Sequence, residues 1–461
     1  MNTEQAQQEK RMKMLETPVA PLISRMAVPT IISMLITSIY NMADTFFVGK
    51  IGTSATAAVG IIFSLMAVIQ AIGFFFGQGS GNYISRKLGG GDVGEASKMA
   101  STGFFSAMIT GGLVTVIGLV FLEPFCRFLG ATDTILPYAK AYLGIILLGA
   151  PYMTAALVLN NQLRFQGNAF YAMVGLVSGG LLNIILDPIF IFGLELGIQG
   201  AALATILSQG VSFCLLLLGC NRLSDSLPIR FKNFSPNLKR YQAIAGGGLP
   251  ALCRQGLASV ATICLNTAAG VFGDAAIAAM SIVTRLTQFA ASAVLGFGQG
   301  FQPVCGFNYG AGRFDRVREG FWFCVSVASV ILVIISALGA VFAPQLIAWF
   351  RADDAEVIAI GARALRIQCI TFPVLGWVTI CNMTLQNLAR VVQASVLSMA
   401  RQGIFFLPLI VVLPHLLGLA GVQVCQSIAD FMTFVISLPL TIPTLRFLKE
   451  QWKKGCEHSE G

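Results

Sequence analysis

Long apolar runs, separated by short polar or Gly/Pro breaks, occupy most of the chain. Each run approaches or exceeds the roughly 20 residues that cross a bilayer as an α-helix. A backbone inside lipid must satisfy its own hydrogen bonds, which only α-helices and closed β-barrels do. Because the runs lack the alternation of apolar and polar residues found in β-barrel strands, the pattern indicates α-helices. The pattern predicts an all-α membrane protein with twelve transmembrane helices, near 22–48, 57–85, 98–121, 135–160, 169–193, 199–219, 243–272, 278–305, 319–343, 356–382, 392–415 and 419–445.

Composition and charge agree with a protein embedded in a lipid bilayer. The 461 residues are 56% hydrophobic and 11% charged, whereas soluble domains carry about a quarter charged residues. The net charge of +9 does not indicate a nucleic-acid partner, because cytoplasmic loops of membrane proteins collect Lys and Arg. Of the 30 basic residues, 21 fall on the side of the two termini. We therefore expect a multi-pass plasma-membrane protein with both termini in the cytoplasm.

The chain is an internal duplication. A shift of 221 residues places nine glycines of the first half on glycines of the second, against roughly two expected by chance. Six helices per half make the repeats parallel in topology, so we expect two six-helix bundles related by a pseudo-two-fold axis along the membrane normal. The predicted domains are residues 1–220, a cytoplasmic linker at 221–241, and residues 242–461.

Acidic residues inside predicted membrane helices are costly and call for an explanation. Asp44 lies some twenty residues into the first helix. Asn183 and Asp187 lie four residues apart in the fifth, so these two share a face. Carboxylate and amide oxygens suit a small cation. These residues could bind either a sodium ion or a proton. Each acid also has a structural interpretation, since Asp44 would touch water near a helix end and Asp187 would cap a broken helix.

Several stretches of the sequence resemble one transporter family in family order. They are NMADTFFVGKIG (41–52), GQGSGNYISRKLGGGD (77–92), RFQGNAF (164–170), NIILDPIFIF (183–192), GIQGAALAT (197–205), GQGFQPVCGFNYGAGR (298–313) and ARQGIFFLPL (400–409). The set resembles the multidrug and toxic compound extrusion (MATE) family, in its bacterial and archaeal branch.

The resemblance implies an antiporter that exports drugs or metabolites and is driven by sodium ions or protons, with a lipid bilayer and a small organic substrate as its partners. We expect no enzymatic activity, no cofactor, and action as a monomer. The resemblance implies that the cation is bound by Asp44, Asn183, Asp187 and Thr205. Tyr40 and Asn160 align with further polar members of that network. The same superfamily includes lipid-linked oligosaccharide flippases, which remain an alternative.

The two halves differ in their charged residues. Asp44 pairs with Leu265 across the repeat, and Asp187 pairs near Leu407, so we expect the cation to bind the first half only. The second half instead places arginines in its membrane helices, where a substrate role for Arg254, Gln255 and Arg401 is predicted. An ion pair of Arg254 with Asp430 is an equal alternative.

Two prolines lie inside predicted helices near the acids. Pro29 removes a backbone donor in the first helix, and Pro188 directly follows Asp187 and cannot donate to Ile184. We expect both prolines to bend their helices, and bending at Pro29 to accompany cation binding.

Overall fold

The computed structural model describes residues 3–223, 225–350 and 354–459. Within these residues every regular element is a helix and no strand occurs. The first half contains α1 (Thr3–Glu16), α2 (Val19–Gly49), α3 (Thr53–Gly89), α4 (Val93–Val120), α5 (Leu122–Phe128), α6 (Leu136–Phe165), α7 (Ala169–Pro188), a π-helical turn (Ile189–Gly193) and α8 (Gly197–Arg222). A short 3-10 helix (Phe231–Asn233) lies in the linker. The second half contains α9 (Leu238–Gly270), α10 (Asp274–Gly310), α11 (Phe314–Val341), α12 (Ala343–Ala348), α13 (Ala355–Thr371), α14 (Val374–Asn387), α15 (Val391–Met399), a π-helical stretch (Ala400–Phe406), α16 (Leu407–Leu417) and α17 (Leu419–Ser459).

The transmembrane helices agree with the prediction in number. Eleven spans in the described residues are long and apolar enough to cross a membrane, and the pair α13 and α14 makes a twelfth. This pair is bent by 56°. The bend coincides with Pro373, which lacks the N–H that would donate to Cys369 and so interrupts the helix. The all-α membrane class is confirmed, and the tenth predicted helix, 356–382, is a broken one.

Contacts divide the chain into two compact units that exchange short segments. Unit 1 comprises Met1–Thr17 and Val28–Leu252, and unit 2 comprises Pro18–Ala27 and Cys253–Gly461. The beginning of α2 thus belongs to unit 2, and the beginning of α9 belongs to unit 1. Both helices change unit next to prolines, Pro29 and Pro250, which are equivalent in the repeat. The domain boundaries expected from the sequence stay a prediction.

Two glycines that are equivalent in the repeat allow these exchanged segments to pack closely. A Cβ atom on Gly79 of α3 would lie 2.2 Å from the carbonyl oxygen of Ile244, within unit 1. At the equivalent position in unit 2, a Cβ atom on Gly300 of α10 would lie 2.5 Å from the Cα of Ala27. Only glycine allows two helix backbones to approach so closely. The shared glycines therefore reflect the same close crossing in both units.

The amino-terminal helix α1 is tied to unit 1 by polar contacts. The Nζ of Lys10 lies 3.0 Å from an Asp225 carboxylate oxygen and 3.0 Å from the Asp225 carbonyl oxygen, which also accepts from Gln7. Arg11 donates to the carbonyl oxygen of Gly89 at the end of α3. Burial lowers the pKa of Lys10 from 10.5 to about 8, against the opposing effect of Asp225.

Candidate functional sites

Three of the four predicted cation ligands meet where α7 packs against α8. The amide nitrogen of Asn183 lies 3.4 Å from Asp187 Oδ1 and 3.5 Å from Thr205 Oγ1, both long for hydrogen bonds. Asp187 is fully buried, and Asn183 and Thr205 are at most 8% exposed. The four-residue spacing of Asn183 and Asp187 places them on one face, as the sequence predicts.

Asp44 brings a second carboxylate to this region from α2. It lies close enough to Asp187 for the two carboxylates to interact electrostatically. Three shielded oxygens find no hydrogen-bond donor among the described residues: Asp44 Oδ1, Asn183 Oδ1 and Asp187 Oδ2. Buried acceptors without partners are rare in folded proteins and destabilising. The cluster therefore lacks a positive charge to balance its two carboxylates.

A residue that the sequence analysis missed completes the cluster. Tyr142 of α6 is 3% exposed, hydrogen-bonds to Thr205, and interacts electrostatically with Asp44, Asp187 and Tyr40. Its hydroxyl is a further oxygen beside the carboxylates. A tyrosine within an apolar helix gives no pattern of its own, because only the packing of α6 between the other helices reveals its neighbours.

The two remaining polar residues predicted for this network lie in different settings. Tyr40 lies one helical turn before Asp44, with which it interacts, and packs near Gly180. Asn160 donates through its amide to the carbonyl oxygen of Ala172 at 2.8 Å. This bond joins α6 to the beginning of α7. The structure thus places Tyr40 in the cluster and gives Asn160 a helix-packing contact.

The two prolines behave differently. Pro188 ends α7, and the π-helical turn after it is marked by the N–H of Leu194 donating to Ile189, five residues earlier, at 2.8 Å. Pro29 lies inside α2, which continues through it, and its carbonyl oxygen accepts from the Ser33 hydroxyl at 2.9 Å. The helix thus continues past Asp187 in π-helical form to Gly193.

The donor set of this cluster suits a small hard cation or a proton. It contains carboxylate, amide and hydroxyl oxygens, without the sulfur and imidazole ligands that zinc prefers. Within residues 3–223, 225–350 and 354–459, no group of three or more His, Cys, Asp or Glu side chains is placed to hold a metal ion.

Unit 2 contains a cavity of about 310 Å³. Its lining includes all three second-half residues predicted for the substrate, Arg254, Gln255 and Arg401. The wall combines amide and hydroxyl side chains with apolar ones such as Leu265 and Phe372. Pockets of a few hundred Å³ with apolar walls and a few polar groups are typical of small-molecule sites.

Arg401 lies in the π-helical stretch that interrupts the eleventh transmembrane helix. Its Nε donates to Asp430 Oδ1 at 2.7 Å, and Gln426 donates to the same oxygen at 2.7 Å. Asp430 is fully buried. The alternative that Asp430 pairs with Arg254 is therefore wrong, since its partner is Arg401.

Comparison with known proteins decides the family. The MatE family profile matches residues 29–189 and again 250–412, once in each half of the chain. The chain belongs to the MATE family of multidrug efflux transporters. This membership makes the protein a membrane transporter rather than an enzyme.

Individual MATE relatives match over nearly the whole chain. The multidrug export protein MepA of Staphylococcus haemolyticus is 27% identical over 93% of this chain and 96% of its own length. A crystal structure of a MATE protein in the straight conformation has a TM-score of 0.90 at 26% identity, covering 95% of this chain and 99% of that one. A structure in the bent conformation has a TM-score of 0.87 at 26% identity, covering 98% and 99%.

Proposed function

We propose that this MATE protein is a secondary antiporter that exports amphipathic organic compounds in exchange for sodium ions or protons. The coupling cation would bind Asp44, Asn183, Asp187 and Thr205, with Tyr142 and Tyr40 beside them. The observation that carries this proposal is the set of three buried oxygens without donors, on Asp44, Asn183 and Asp187. A cation or a proton supplies the missing positive charge and relieves the repulsion between the two carboxylates.

The duplication supports a cation site confined to the first half. Asp44 is equivalent to Leu265, so the common architecture of the two halves does not require an acid there. Acids retained in only one copy, inside apolar helices, indicate a function that this copy alone performs. The cavity of unit 2 would then receive the substrate.

The similarity to MepA supports multidrug export as the activity. The alternative of a lipid-linked oligosaccharide flippase is not favoured, because the MepA relative described above is a multidrug export protein. We further propose a plasma-membrane location, both termini in the cytoplasm, and action as a monomer. Single cysteines at the termini, labelled from one side of sealed vesicles, test the orientation.

Transport in proteoliposomes tests the coupling. Efflux should be driven by a sodium gradient or by a pH gradient, and Asp44→Asn or Asp187→Asn should abolish it in folded protein. Thr205→Ala should weaken it, because one neutral ligand among several is lost. Asp133→Asn is the matched control, since this loop carboxylate makes only an exposed ion pair with Arg127. Gradient-driven efflux that survives in the double variant Asp44→Asn, Asp187→Asn would place the ion elsewhere.

A further inference from the structure

The cavity of unit 2 contains a cation without a counter-charge. Arg254 lines it from α9, 16 residues after that helix begins at Leu238. In the described part of the chain Arg254 forms no ion pair or hydrogen bond, and no Asp or Glu lines the cavity with it. An unpaired charge at this depth is costly unless a ligand compensates it.

The second arginine of the cavity is in a different state. Arg401 is held by Asp430, which lies behind it and is fully buried, so the charge of this pair is neutralised within the protein. Arg254 has no such partner. Because the Arg401–Asp430 pair is neutral as a whole, the cavity carries one net positive charge, at Arg254.

The other residues that line the cavity indicate which further groups a ligand would carry. Amide side chains, including Gln255, Gln288 and Gln368, offer neutral hydrogen-bond donors and acceptors. Leu265, Phe372 and their neighbours supply apolar surface. Such a wall accepts a flat or bulky hydrophobic body of variable structure but provides no negative charge for an organic cation.

We propose that this cavity binds amphipathic compounds through an anionic group, such as a carboxylate, that is received by the Arg254 guanidinium. The substrates would then include organic anions and zwitterions. This inference rests on the proposed export function and specifies the substrate class of its site. The planar guanidinium fork matches a carboxylate with two parallel hydrogen bonds, which a lysine cannot reproduce.

A matched pair of fluorescent probes tests the proposal. 6-(Dimethylamino)-2-naphthoate carries the carboxylate on a small apolar body, and its methyl ester is the neutral counterpart. Binding to purified protein in nanodiscs of zwitterionic lipid is measured at equilibrium without any gradient. Comparing the carboxylate-to-ester affinity ratio between variants cancels the different partitioning of the two probes into lipid.

Arg254→Gln should lower affinity for the carboxylate at least about tenfold and leave the ester unchanged, because only the charged hydrogen bonds are lost. Arg254→Lys should retain part of the preference. Arg285→Gln is the matched control, since Arg285 lies in neighbouring α10, is exposed, and does not line the cavity. Arg254→Met replaces Arg254→Gln if the latter does not fold.

An affinity ratio that is the same in wild type and in a folded, uncharged Arg254 variant overturns the proposal, as does failure of the carboxylate to bind. Repeating the titration with anionic phospholipid in the nanodiscs separates two sources of the anion. If the lipid displaces the probe, the site belongs to a lipid headgroup and the assignment to exported compounds is wrong. Because no gradient is applied, failure of ion coupling leaves this measurement interpretable.

Discussion

The Nε of Arg401 lies 2.7 Å from Oδ1 of Asp430, and the carboxylate of this ion pair is fully buried. We predict that Arg401→Gln destabilises the protein by about 3–5 kcal/mol, because it leaves a buried carboxylate without its partner. The double variant Arg401→Gln, Asp430→Asn should recover most of this loss. Denaturant unfolding in micelles measures both. Equal losses in the single and double variants would contradict the prediction.

The proline of α2 lies two residues beyond the point where this helix passes from unit 2 to unit 1. Pro29→Ala restores the N–H that can donate to Arg25 and so favours one continuous helix. Transport should slow while equilibrium cation binding is kept, since the cation ligands are untouched. Pro439→Ala in α17 serves as the control, and turnover equal to wild type in Pro29→Ala would count against a bending role.

From the close helix crossing at Gly79 we predict the effect of adding a single methyl group there. Gly79→Ala should destabilise the protein by about 1–3 kcal/mol, because the new Cβ meets the Ile244 carbonyl oxygen at 2.2 Å. Gly112→Ala in α4 is the matched control, since nothing lies within 4 Å of its added Cβ. It should be neutral or stabilising by up to about 1 kcal/mol, through helix propensity. Thermal unfolding of the two variants, measured side by side, tests this difference in stability.

Docking of α1 should depend on pH through Lys10. Its pKa is about 8 when docked and 10.5 when free, so the docked state binds fewer protons between these values. Docking should therefore strengthen as pH rises from about 8 to 10.5 and be constant below about 7. Hydrogen-exchange protection factors of α1, corrected for intrinsic rates, measure this. Lys10→Met should remove the dependence, and a dependence that persists in this variant would assign it to another group.

The sequence predicts features that depend on spacing along one element or on comparison of the two halves. The transmembrane helices follow from apolar runs, and the proximity of Asn183 to Asp187 follows from helical periodicity. The change from α- to π-helix after Pro188 fits the backbone donor that this proline lacks. These arguments need no knowledge of tertiary packing.

Features that depend on which helices become neighbours escape such arguments. Tyr142 joins the cluster only because α6 packs against α8. The sequence offers Arg254 as a partner of Asp430, whereas the packing of α17 against the π-helical stretch gives it Arg401. The break before α14 depends on Pro373, whose residue type indicates a bend without giving its angle.

The exchanged segments have a consequence for a chain cut in two. A polypeptide ending at residue 230 would lack Leu238–Leu252, which fills the groove at Gly79, and the other fragment would lack Pro18–Ala27, which fills the groove at Gly300. Neither fragment is self-sufficient, yet each holds what the other needs, so co-expressed fragments should reassemble without a tether. A single-copy ancestor, before the duplication was fused, would by the same geometry have worked as a pair of identical chains, each completing the other.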